Sequence, residues 1–323
     1  MKNSVFILGA HKSGSSLLRS LLDGHPDLFA IPFEMHFFQF ANYWVDYRLR
    51  RVKPKNTTLN EIKDAYIRNV TIYNSFSDPL GDANMLGRID LQMFLETIDR
   101  DVETFSELID LYIDATYSSL TNLKIQPWQR IVEKSVENAE FALDINLMFT
   151  GSKFIHILRN PYSNIVSIRH HISKKGFPSL MPIVSSLNNS FYYLYKNKRL
   201  IDEYLVIRYE DLLINTKDTM RLVAEFLQID YLDSLLKPTS LDNVWKGNSS
   251  RGIDFLNVSA SNLNLWKNEI TNFEIYIVNQ FFSFILDDFD YSEIHMGHSH
   301  LWPEKTEGPI SYILNRALKY FLL

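Results

Sequence analysis

The chain has 323 residues, 46% hydrophobic and 22% charged, an ordinary globular composition long enough to bury a large core. Its 33 Lys and Arg against 38 Asp and Glu leave a formal charge of −5, which argues against general nucleic-acid binding and sends any anionic ligand to a local basic pocket. Cysteine is absent, so disulfides, thiolate catalysis and Cys-ligated zinc are excluded.

The N-terminus MKNSVFILG runs straight into a loop, with an apolar stretch too short for a signal peptide, and nothing approaches the ~20 apolar residues of a membrane span. The expected location is cytoplasmic. Residues 4–9 (SVFILG) read as a buried strand, 15–24 (SSLLRSLLDG) as a helix with leucines at 17, 18, 21 and 22, and 28–32 (LFAIP) as a second strand. Four aromatic-rich helical stretches follow, at 36–50, 59–70, 88–99 and 104–119. RIVEK (130–134) and KFIHIL (153–158) are strands around a helix at 137–149. Helices at 161–174 and 183–198 precede the strand EYLVIRY (203–209) and a helix at 217–227. Residues 231–264 are polar and loop-like, and 274–286 form a late helix. The tail GPISYILNRALKYFLL (308–323) reads as a helix packing on its own domain, with peripheral membrane contact as the alternative. Strands alternating with helices imply an α/β fold: three layers, P-loop-like, with a central parallel sheet of about five strands flanked by helices. We expect one domain over 1–323, carrying a helical acceptor-side insertion at about 36–125.

The stretch VFILGAHKSGSSLL (5–18) spaces Gly9 and Gly14 as in the loop G-x-x-x-x-G-K-[ST] that holds nucleoside triphosphates. Position 15, where that loop carries lysine, is Ser15, and the lysine stands at Lys12. A strand, a glycine turn with serines and a helix N-terminus make an anion site: backbone N–H groups and hydroxyls converge, and the helix dipole favours negative charge. Without lysine at 15 or an evident acidic metal partner, the loop suits one phosphate, with Lys12 facing a neighbouring group. A ligand-free turn is the bland alternative.

HKSGSSLLRSLLDGHPDLFAIPFEMHFF (11–38) resembles the 5′-phosphosulfate loop of the sulfotransferases that use 3′-phosphoadenosine 5′-phosphosulfate (PAPS). KFIHILRNPYSNIVS (153–167) is similar to that family's 3′-phosphate motif, an Arg with a Ser eight residues on. VIRYEDLL (206–213), NSSRGI (248–253) and WKNEI (266–270) resemble later segments, in the family's order. The resemblance implies that Lys12, Ser13, Gly14, Ser15 and Ser16 hold the 5′-phosphosulfate. It implies further that Arg159, Ser167 and Arg251 hold the 3′-phosphate with Ser250 and Gly252 beside them, and that Tyr209 lies near the adenine. PAPS would be the co-substrate, with no metal. The physics agrees: a ligand with two anionic ends needs a second basic site, and Arg159 sits at the carboxyl edge of a parallel sheet, where such folds bind ligands. A surface ion pair is the plain alternative for Arg159.

Sulfuryl transfer builds charge on the oxygen bridging sulfur to the 5′-phosphate, and Lys12 is placed to reach it. PFEMHFF (32–38) resembles the KE-x-HFF pattern of the glycan and protein-tyrosine branches, which makes Glu34 the expected general base. The lysine usual before that glutamate is Phe33. Glu34 as a helix cap is the competing reading, and His36 is expected to be a structural hydrogen-bonding residue. VEKSVENAEF (132–141) resembles the family's K-[TD]-P-x-N turn with Val136 for the proline, so Lys134 is expected to bind the sulfonate with Lys12. The acceptor is expected to be a hydroxyl of a carbohydrate or glycolipid. A nucleotide kinase-like phosphotransferase and a catalytically inactive nucleotide-binding scaffold are the two rivals. His295, His298 and His300 read as a solvated loop, His170 and His171 as a pair facing different ways, and YRLRRVKPK (47–55) as a solvated basic end.

Overall fold

The computed structural model describes residues 3–41, 45–46, 51–52, 57–75, 85–173, 180–241, 243–248, 257–295 and 297. The strands are β1 (Val5–Gly9), β2 (Leu28–Ala30), β3 (Val45–Asp46), β4 (Arg51–Val52), β5 (Arg130–Glu133), β6 (Lys153–Leu158), β7 (Tyr204–Arg208), β8 (Thr239–Ser240) and β9 (Asn243–Val244). The helices are α1 (Ser15–Leu22), α2 (Phe37–Phe40), α3 (Leu59–Ser75), α4 (Leu91–Ile98), α5 (Phe105–Thr121), α6 (Ala142–Met148), α7 (Pro161–Ser173), α8 (Leu180–Leu200), α9 (Tyr209–Ile214), α10 (Thr216–Leu227), α11 (Asn272–Phe281) and α12 (Ser283–Asp288). Five strands form one parallel sheet in the order β2-β5-β1-β6-β7, with Val5 opposite both Val132 and Lys153, and Leu28 opposite Arg130.

Period-2 alternation in the central strands sorts the core into two faces. Val5 and Ile7 join Ile155 and Ile157 under α1 and α10. Phe6 and Leu8 turn the other way, with Phe154, onto the aromatic helices α3, α4 and α5. The segment between β2 and β5 therefore supplies more than half of the cluster on this face of the sheet. Tyr66 and Tyr112 stack inside it at 4.1 Å between ring centroids. A third cluster lies where α7 and α8 meet α11 and α12.

Four expectations change. The stretch 36–50 is not one helix: α2 covers four residues, entered through His36 at φ 52, and the paired strands β3 and β4 follow. The helix expected at 137–149 is a 3₁₀ turn, Val136–Ala139, and then α6. The late helix divides at Phe282, which is fully buried at φ −130. The loop 231–264 contains the 3₁₀ turn Asp233–Leu236 and the β8–β9 pair. No helix among the described residues is long and apolar enough to cross a membrane. The tail 308–323, residues Ser250, Arg251 and Gly252, His298 and His300, and most of 47–55 lie outside the described residues.

Candidate active site

Strand β1 ends at Gly9, whose φ of 146 and crowding demand the absence of a side chain: a Cβ there would meet the Ile157 carbonyl oxygen at 2.5 Å. The loop turns with Lys12 in the left-handed region at φ 60 and closes through Ser13 N–H donating to Ala10 O at 3.2 Å. Gly14, at φ 105, opens α1, and a Cβ on it would stand 2.2 Å from the Tyr209 ring. Tyr209 therefore lies flush against the loop. Ser15 and Ser16 are buried at the helix start. Ser13 Oγ is buried without a hydrogen-bond partner and lies against Gly9, where a Cβ would meet it at 2.7 Å.

Arg159 follows β6. Its Nη1 donates to Lys12 O at 2.8 Å, its Nε donates to Ser163 Oγ at 2.9 Å, and its guanidinium carbon lies 4.8 Å from the Tyr209 ring centroid. The sheet-edge arginine thus braces the loop that carries Lys12 and stacks on the tyrosine from the next strand. One cleft is lined by Lys12, Gly14, Arg159, Ser167 and Tyr209, and Leu17, Leu213 and Trp245 supply apolar wall. The segment before the undescribed residues 249–256 lies over the loop: Lys12 Nζ donates to Asn248 O at 3.3 Å, and Asn248 Nδ2 donates to Ser16 Oγ at 3.1 Å.

The other end of the sheet edge carries a charged cluster. Lys134, just past β5 and 2% exposed, reaches Glu34 Oε1 at 2.5 Å. Glu34 does not cap α2; the N-cap is His36, with no side-chain capping bond. His36 Nε2 lies 3.5 Å from Glu34 Oε2, and its Nδ1 bonds Glu137 Oε1. Burial alone would lower the His36 pKa, but the Glu137 carboxylate, helped by Glu34 and Glu133, raises it to about 9. Burial would likewise raise the Glu137 carboxyl, and the His36 cation holds it below the usual range instead. Glu133, fully buried, is raised to about 7 by burial, against donors from Ser135 and from Met35 N–H. It also accepts from Asn138 Nδ2, so this glutamate bolts the turn after β5 to the loop after β2.

Glu34, His36 and Glu137 offer ligand atoms within 4.8 Å of one another. Lys134 pairs with Glu34 and His36 bonds Glu137, so these carboxylates already take part in an internal ion network. His11, next to Lys12, lies within electrostatic reach of Glu34, Glu137 and Lys134 and joins the two ends of the site.

The structure brings Lys12, Gly14, Arg159, Ser167 and Tyr209 into one cleft, leaves Ser13, Ser15 and Ser16 buried in the adjoining loop and helix start, and pairs Glu34 with Lys134 farther along the edge. Sequence reasoning missed Asn248, Trp245, Glu133 and Glu137. For Glu133 and Glu137 a signal existed, since acidic residues flank Lys134 in a segment otherwise read as strand and turn. For Asn248 the segment NSSRGI that it opens was a signal, while for Trp245 the polar loop offered none.

These elements define a P-loop-like α/β fold with a glycine loop after its first strand and basic groups along the carboxyl edge of its sheet. The model of the sulfotransferase family matches residues 4–233, and the chain belongs to that family. Among solved structures, the sulfotransferase domain from the curacin biosynthetic pathway is 20% identical at a TM-score of 0.51, covering 87% of this chain and 97% of its own. The sulfotransferase domain from the Synechococcus PCC 7002 olefin synthase is 21% identical at 0.52, covering 87% and 96%. A sulfotransferase from Alicyclobacillus acidocaldarius is 18% identical at 0.41, covering 88% and 96%. Comparison of the sequence with curated proteins gives no match.

Proposed function

We propose that this sulfotransferase moves the sulfuryl group of PAPS to a hydroxyl of a carbohydrate or glycolipid acceptor. One observation carries the reading. Each strand of the sheet delivers one candidate group to the same edge, in spatial order: Glu34 after β2, Lys134 after β5, Lys12 after β1, Arg159 after β6 and Tyr209 after β7. At the usual strand spacing the row spans roughly 19 Å, enough for an acceptor group, a sulfonate, a 5′-phosphate and a nucleoside laid end to end.

PAPS supplies an activated sulfuryl group whose leaving oxygen belongs to a phosphate. Ser13, Gly14, Ser15 and Ser16 cradle that 5′-phosphate with N–H and O–H donors, and Lys12 neutralises charge at the bridging oxygen. Arg159, together with Ser167, takes the 3′-phosphate, and the family resemblance adds Ser250, Arg251 and Gly252 to that set. Tyr209 flanks the base. Glu34 takes the acceptor proton as the acceptor oxygen bonds to sulfur and the bond from sulfur to the bridging oxygen breaks. Lys134 exchanges its carboxylate partner for the incoming sulfonate, which frees Glu34 at the moment it is needed.

Melting the protein with the product 3′-phosphoadenosine 5′-phosphate (PAP), with ADP, and with ATP and Mg²⁺ tests the cofactor. PAP alone should raise the melting temperature. Stabilisation by Mg·ATP alone would support a kinase instead. Glu34→Gln should keep the PAP shift and lose turnover by roughly 10²-fold or more. Full turnover in that variant would remove Glu34 from the mechanism. Mass spectrometry of a sugar and glycolipid panel after incubation with labelled PAPS identifies the acceptor, and PAP stabilisation with no product on any acceptor would favour an inactive scaffold.

A further inference from the structure

His36 has both ring nitrogens turned toward carboxylates. Nδ1 bonds Glu137 Oε1, and Nε2 faces Glu34 Oε2 at 3.5 Å. A carboxylate only accepts, so satisfying both requires a ring with two N–H bonds. The backbone is held in the same pose. His36 stands in the left-handed region at φ 52, and its N–H donates to Ser135 Oγ at 3.3 Å. The Phe40 ring meets the imidazole edge-on at 5.7 Å. A β-carbon residue persists in that conformation where its surroundings over-determine it, and such outliers cluster at functional sites. The determining group is Glu137, a side chain 4% exposed that arrives from the 3₁₀ turn after β5 rather than from the segment carrying Glu34 and His36.

We propose that Glu137 is a positioning residue for the transfer step, fixing the His36 ring so that Nε2–H steers the Glu34 carboxylate. The two oxygens of Glu34 then have different partners. Oε1 is on Lys134 and Oε2 faces His36. When Lys134 turns to the sulfonate, Oε1 is released toward the acceptor proton, while His36 keeps hold of Oε2 and so of the carboxylate plane. The charged and titratable groups around His36 are Glu137 and Glu133 from the end of β5 and its turn, and Glu34 from the loop after β2. Lys134 and His11 complete the set through their proximity to Glu34 and Glu137. This proposal rests on Glu34 as the base.

The test is Glu137→Gln, which keeps an acceptor for Nδ1–H and removes the charge. Ring NMR of His36 should show its midpoint falling from about 9 in the wild type toward the ordinary value near 6.5. The sign follows: the wild type keeps the imidazolium until pH approaches 9, whereas the variant loses it near neutrality. At pH 8 the variant kcat should drop about 10-fold, and at pH 5.5, where His36 is charged in both proteins, by less than about threefold. KM for PAPS should stay within about twofold at both pH values, because Glu137 does not line the cleft of Lys12, Arg159, Ser167 and Tyr209. Glu137→Asp, which restores the charge, should recover part of the loss at pH 8.

A His36 midpoint that does not move, or a kcat loss equal at both pH values, overturns the proposal. Should Glu137→Gln fail to fold, His36→Gln decides: its kcat should lose the alkaline fall near 9, and a fall that persists there overturns the proposal equally. The base reading fails separately, through full turnover in Glu34→Gln, and the His36 midpoint in Glu137→Gln is measured without turnover.

Discussion

Lys134 sits in a place where its charge can be justified only by a partner. It is 2% exposed, and the partner it has is Glu34 at 2.5 Å. Taking two such groups out of water costs several kcal/mol per ion, and a close ion pair with supporting hydrogen bonds is what offsets that cost. The proposed mechanism gives this one ammonium two roles, neutralising Glu34 at rest and meeting the sulfonate in transfer. Lys134→Met separates them. The variant leaves Glu34 with His36 as its near cation, so stability should fall by about 3 kcal/mol. If the lysine also meets the sulfonate, kcat should drop by roughly 10²-fold while PAP, which lacks the sulfonate, still raises the melting temperature. Urea unfolding and initial rates measure the two effects. A destabilised variant with unchanged kcat would leave Lys134 as a structural counter-ion and no more.

At the scale of elements, the loop between β1 and α1 acts as one piece with the start of α9. Gly14 is the contact point. Its φ of 105 disfavours any side chain, and the Tyr209 ring occupies the place of a Cβ. Gly14→Ala must push Tyr209 aside, and Arg159, stacked on that ring at 4.8 Å, moves with it. The expected outcome is a folded protein whose melting temperature no longer responds to PAP, read by thermal shift and far-UV circular dichroism. A preserved PAP response would mean that the loop tolerates the methyl group and that the three residues are not a unit. The same coupling explains what sequence could carry. Strands β1 and β6 are short apolar runs rich in β formers, bounded by turn residues, and were legible nearly to the residue. So were Lys12 and Arg159, because a glycine loop and a strand-end arginine are local patterns. The stretch after Phe33 was not, because its aromatics at 37 and 38 are buried and that at 40 is half-buried against the same cluster. An all-round aromatic run carries no face from which to read a period. Glu137 was illegible for a different reason. Its partner His36 is 101 positions away, and only the β2–β5 pairing brings the two loops together.

Across the whole molecule, the sheet edge is anchored to the C-terminal helices through α7. That helix begins with the turn after Arg159 and ends against α11. There Arg169 Nε donates to Glu274 Oε1 at 2.8 Å, with Arg169 8% and Glu274 0% exposed at the side chain, and Arg169 Nη2 donates to Glu269 O at 2.8 Å. Glu274 serves twice, because it is also the third residue of the capping box that Thr271 opens for α11. Glu274→Gln separates the two functions: a glutamine preserves the capping geometry and removes the charge. Arg169 would then be a buried guanidinium without its carboxylate, a loss of about 3–5 kcal/mol. For a chain of this length that corresponds to a melting temperature lower by roughly 4–7 °C. Adding Arg169→Met should recover most of the loss, since deleting both charges removes the stranded ion rather than creating one. The PAP-induced shift should survive in both variants, because Arg169 and Glu274, unlike Ser167 on α7, do not line the cleft. If Glu274→Gln costs nothing, the pair is not a clamp, and the C-terminal helices are held by their apolar cluster around Trp266 and Phe282 alone. If it abolishes the PAP response while the fold stands, α7 transmits strain along its length, and the cofactor cleft depends on its seat against α11.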